Sequence, residues 1–133
     1  MPTFKRTFTF AFDEVIEKTT AALKTQGFGV LTEINIDATL KKKIDVDFRR
    51  YQILGACNPP LAHRALQNDL DVGVLLPCNV VVYEADDKSV VVSVVDPAAA
   101  IGSFGDKELQ EIAEEVSTKL KTALDAVAPG GAA

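Results

Sequence analysis

The chain is 133 residues long, 47% apolar and 25% charged, the make-up of one globular domain able to remove roughly two-thirds of its unfolded surface from water. Its formal net charge of −5 argues against nucleic acid as a partner, because phosphate binding needs a basic face that displaces counterions. No apolar run reaches the roughly 20 residues of a membrane-spanning helix, and nothing behind Met1-Pro2-Thr3-Phe4-Lys5-Arg6 resembles the apolar core and cleavage site of a signal peptide. A cytoplasmic protein with no membrane partner is therefore expected. Thiols stay reduced there, so no Cys57–Cys78 disulfide is expected.

Thr3 to Phe10 alternates around Phe4, Phe8 and Phe10 and reads as an opening strand. Asp13 and Glu14 begin a helix, where negative charge suits the N-terminal dipole. Val15, Ile16, Thr19, Ala22 and Leu23 keep helical spacing and Gly27 supplies the stop. From Phe28 the period changes to two, with Phe28, Val30, Ile34 and Ile36 on one face, which predicts a half-buried second strand. Asp37 is expected to cap a short helix carrying Leu40 and Ile44. Its basic run Lys41-Lys42-Lys43, with Arg49-Arg50 nearby, reads as a solvated face.

Tyr51, Ile53 and Cys57 share one side of a third predicted strand. Asn58 then reads as a helix N-cap with Pro59 at the first helical position, where its missing N–H costs nothing. That short helix turns Leu61, Ala62, Ala65 and Leu66 to one face and leaves His63 at the margin. Val72 to Glu84 is apolar and β-branched enough to be strand throughout, with Pro77 marking an edge or a bulge. Asp86-Asp87-Lys88 turns into the apolar strand Val90–Val95, which Asp96-Pro97 ends. A flexible stretch through Gly102 and Gly105 is expected next. The final helix carries Leu109, Ile112, Ala113, Val116, Leu120, Ala123, Leu124 and Val127.

The order is strand, helix, a run of strands with two short inserted helices, then a long helix. That predicts a two-layer α+β domain over residues 1–128, an antiparallel sheet with its long helices on one face, and a disordered tail at 129–133. Val80–Tyr83 and Val90–Val95 are apolar on both faces, yet two long helices cover only one side of a sheet. A homodimer that buries the open sheet face resolves this tension.

The chemistry concentrates at the only two cysteines, each followed by asparagine and near proline: Gly55-Ala56-Cys57-Asn58-Pro59-Pro60 and Leu75-Leu76-Pro77-Cys78-Asn79. Four readings stay open. Cys57, Asn58, Pro59, Cys78 and Asn79 form a rigid small-ligand site walled by Leu75 and Leu76, or a site that responds to oxidants through its thiols. Alternatively, Cys57, Cys78 and His63 make a soft ligand set for a transition metal such as zinc or copper, although neither cysteine has a partner at zinc-knuckle spacing. In the third reading Cys57 is the nucleophile of an enzyme; a thiol before a helix N-terminus is drawn toward thiolate, although Pro59 and Pro60 remove two of the first N–H donors. In the last, both thiols are packed in a pure interaction domain. No phosphate-binding glycine loop, HExxH or Gly-x-Ser-x-Gly is present, and a non-catalytic binding module is favoured.

The stretches Gly27–Ile34, Thr39–Lys43, Tyr51–Pro60, Leu75–Glu84 and Val94–Pro97 together resemble the domain-of-unknown-function 302 family. The resemblance implies a compact α+β domain similar to half of the TATA-binding-protein fold and often dimeric. Both Cys-Asn elements belong to the family pattern. The resemblance implies no activity.

Overall fold

The computed structural model describes residues 1–101 and 105–127. Five strands form one antiparallel sheet in the order β1-β5-β4-β3-β2, with β1 Thr3–Phe8, β2 Gly29–Asn35, β3 Tyr51–Cys57, β4 Cys78–Glu84 and β5 Val90–Val95. The described helices are α1 Phe12–Thr25, α2 Ile36–Ile44, α3 Pro59–Asn68, α4 Pro97–Ile101 and α5 Lys107–Ala126. The mixed architecture read from the pattern is the one observed. The expected tail at 129–133 and Gly102 lie outside the described residues.

Register explains the covered face. Leu54 stands opposite Val80, Val80 opposite Val94, and Val82 opposite Val92, so period-two alternation sends all of them to one side. There they meet Val15, Ala22 and Leu23 of α1 and Leu120, Ala123 and Leu124 of α5 in the main core. Gly27 ends α1 at φ +83°, left-handed backbone that a side chain would strain. A second, smaller core gathers Ala65 of α3, Val72, Ile101 of α4, and Leu109, Ile112 and Ala113 from the first half of α5. The long helix therefore bridges two cores, its first turns on one and its last on the other.

Four expectations change. Val72 is not strand: Asp69 accepts from the Asp71 N–H at 2.9 Å and starts a 3₁₀ segment, Leu70–Leu75, so β4 begins only at Cys78 and Pro77 precedes it. The apolar run there satisfies the second core instead of a ladder. The cap of α2 is Asn35, which accepts from the Ala38 N–H at 3.1 Å; Asp37, in the first turn, instead accepts from the Tyr51 N–H at 3.0 Å and ties α2 to β3. β2 is almost wholly exposed beyond Val30: it is the edge strand of the sheet, and its register against β3 shifts between Val30 and Thr32. Pro97–Ile101, expected as flexible chain, is helix α4.

The open face is less bare than its valines suggested. Val91 and Ser93 are nearly buried, since the adjacent positions on the same face are Thr7, Lys5, Tyr83 and Val81. Tyr83 in turn stacks on Tyr51 with centroids 5.5 Å apart and planes 8° from parallel.

Candidate functional site

β3 and β4 deliver the two thiols to one place. Ala56 pairs with Cys78 across the sheet, so Cys57, the next residue of β3, ends its strand beside the start of β4. Both cysteines are free, Cys57 half-buried and Cys78 buried. They border a cavity of about 60 Å³ whose other walls come from both cores, among them Phe28 and Ala56 from the main core and Val72 and Ile112 from the smaller one. The cavity lies at the seam between the two cores. The volume equals roughly four water-sized spheres, room for a molecule of a few heavy atoms. It is far below the roughly 300 Å³ at which drug-sized sites begin.

Burial pushes the Cys78 thiol from its ordinary value of about 9 up to about 11, with the nearby Cys57 charge adding to the effect. Near neutral pH Cys78 is thus a neutral S–H, a small apolar group with a weak donor. Leu75 and Leu76 line the same cavity, as the wall expected of them.

The asparagines diverge. Asn58 is buried; its Nδ2 donates to the Gln26 carbonyl at 3.0 Å and its Oδ1 accepts from the Leu61 N–H at 3.4 Å. It closes the N-terminus of α3 and binds it to the end of α1, a task that occupies both ends of its amide. Pro59 follows at the start of α3 and is exposed. Asn79 is exposed on the open sheet face, opposite Gly55. A Cβ on Gly55 would lie 2.2 Å from Thr32 Oγ1 and 2.8 Å from Pro77 Cγ, so glycine is what lets the ring of Pro77 close over β3.

His63 is not brought to the thiols. α3 buries Leu61 and Ala65, and His63, two residues after Leu61, falls on the opposite, exposed side. Among the described residues no three His, Cys, Asp or Glu side chains gather as a metal-binding group. Sequence reasoning missed Val72, Ile101, Leu109 and Ile112 as cavity walls. Their apolar periodicity was visible, but not that they would face the cysteines.

Comparison with known proteins agrees with the architecture. The model of the family described as domain of unknown function DUF302 matches residues 4–127. A solved structure of an uncharacterized conserved DUF302 protein from Bacillus stearothermophilus superposes with a TM-score of 0.88 at 32% identity, over 96% of this chain and 99% of that one. No functionally curated protein matches. No helix among the described residues is long and apolar enough to cross a membrane.

Proposed function

Because the chain belongs to the DUF302 family, whose description assigns no activity, we propose from its own site that it is a binding module for a small, neutral, apolar ligand held between Cys57 and Cys78. The observation that carries this reading is the convergence of both thiols on one apolar cavity at the seam of the two cores. Among the described residues no third His, Cys, Asp or Glu gathers with the two thiols, which favours an uncharged ligand over a soft metal. Nucleophilic catalysis at Cys57 lacks support, because His63 is turned to solvent and among the described residues no side chain hydrogen-bonds the thiol to act as its base. The test is chemical-shift mapping with neutral probes of three to five heavy atoms, such as dimethyl sulfide and propanethiol. Saturable shifts at Ala56, Cys78 and Ile112 that disappear in the cavity-filling variant Ala65→Leu are expected. Their absence for every probe defeats the reading.

A second copy of the chain accompanies this proposal, seated at the β2 edge rather than across the whole open sheet face. α2 buries none of its nine residues, and a helix that short is unstable in water without packing. Leu31, Ile34, Ile44, Val46 and Phe48 are all exposed along this one segment. A partner there would cover both the apolar row and the unpaired edge of β2. Analytical ultracentrifugation should find a dimer at micromolar concentration and a monomer for Ile44→Lys. A monomeric parent protein rejects the dimer without touching the ligand proposal.

A further inference from the structure

We infer that the open face of the sheet is a second binding site, for an organic anion with a flat apolar body. Register builds it. Lys5, Ser93 and Val81 lie in one row across β1, β5 and β4; Thr3, Val95 and Asn79 form the next row on one side, and Val91, Tyr83 and Tyr51 the next on the other. All of these residues except Val91 line a groove of about 670 Å³, rimmed at one end by Met1, Pro2 and Ala100. The rim is held in place by the Asp96 N–H, which donates to the Pro2 carbonyl at 2.8 Å. That volume falls within the range of small-molecule sites, roughly 300–1,000 Å³.

The polar groups of the groove are unspent. Ser93 is 6% exposed, lines the groove, and its hydroxyl makes no side-chain hydrogen bond among the described residues. The oxygen itself reaches solvent at the groove floor, where it is open to a partner from outside the chain. Directly opposite it, Lys5 forms no ion pair among the described residues. The side-chain amide of Asn79 is likewise unengaged. Among the described residues no Asp or Glu lines the groove, although the chain carries a net charge of −5. An ammonium, an accessible hydroxyl and an amide with no opposing carboxylate complement an anionic head group. Val81, Val95 and the stacked pair Tyr51–Tyr83 complement a flat apolar body lying along the sheet. This site is separated from the thiol cavity by the sheet itself and does not depend on it.

The test uses the full chain with two dyes, the aromatic sulfonate 8-anilinonaphthalene-1-sulfonate and its uncharged analogue N-phenyl-1-naphthylamine. Expected is saturable one-to-one binding of the sulfonate with amide shifts concentrated at Lys5, Asn79, Val81 and Ser93. Lys5→Gln should weaken the sulfonate about fivefold, the size of one partly exposed charge pair, and leave the uncharged dye unchanged. Ser93→Ala, a change a sheet tolerates, should weaken the sulfonate by a similar factor. The inference is overturned if shifts gather instead at Ala56, Cys78 and Ile112 or at Ile44 and Phe48. It is also overturned if no saturable binding occurs, or if Lys5→Gln affects both dyes equally.

Discussion

The two Cys-Asn dipeptides are identical in sequence and opposite in use. In Cys57-Asn58 the asparagine is the buried member, both ends of its amide consumed in joining α1 to α3, while its cysteine is the more accessible thiol. In Cys78-Asn79 the cysteine is buried among apolar side chains and the asparagine stands free on the open sheet face. The difference follows from position in an element. Cys57-Asn58 spans a strand end and a helix start, where backbone N–H groups need a cap; Cys78-Asn79 opens a strand, where alternation sends neighbours to opposite faces. A repeated motif need not be a repeated function.

Substitution of the asparagines is the sharpest way to break this contrast. Asn58→Ala removes a helix cap and leaves the Gln26 carbonyl without its partner, and should cost about 3 kcal/mol in urea denaturation. Equal losses at Asn58 and Asn79 would erase the distinction. Gly55→Ala comes next. The added methyl meets Thr32 and Pro77, and overpacking of this kind costs about 2 kcal/mol; Thr32→Ala in the same chain should restore only part, because the Pro77 ring cannot turn aside. If Gly55→Ala is neutral, the closure of Pro77 over β3 is loose.

The thiols sharpen the contrast further. Cys57 should alkylate with iodoacetamide in the folded protein near neutral pH, whereas Cys78 should react only on unfolding or at strongly alkaline pH. The same burial makes stability pH-dependent. Because folding raises the Cys78 pKa to about 11, its contribution is complete below the unfolded value near 9 and is lost as pH rises toward 11. Comparing Cys78→Ala with the parent across that window isolates the effect, and parallel curves would refute it. Asn79→Ala should be the smallest change, within about 0.5 kcal/mol, as for an exposed side chain without partners.

Much of the fold was legible from local pattern. The caps Asn58-Pro59 and the stop at Gly27 were readable because they depend on neighbours within four residues. The reading failed where a local signal had two outlets. Val72–Leu75 carries strand composition, but Asp69 supplies a turn and the second core takes Val72. Asp37 and Asn35 both suit a helix start, and what separates them is that β3 lies within reach of Asp37. Of the candidate site, the cysteines and Leu75–Leu76 were visible in advance. The turning away of His63 follows from which face of α3 meets α5, a fact about packing between segments some 50 residues apart.

The sequence by itself determined most of the element types, the α+β class and the placing of both thiols at strand ends, because periodicity and capping are local and each residue's contribution is set by its nearest neighbours. Only the tertiary structure separated one core into two, opened the cavity between them, and set Ser93 and Lys5 side by side on the far face without a partner among the described residues. Those features depend on where α5 crosses the sheet and how the strands register, and such long-range contacts are written in no single stretch of chain.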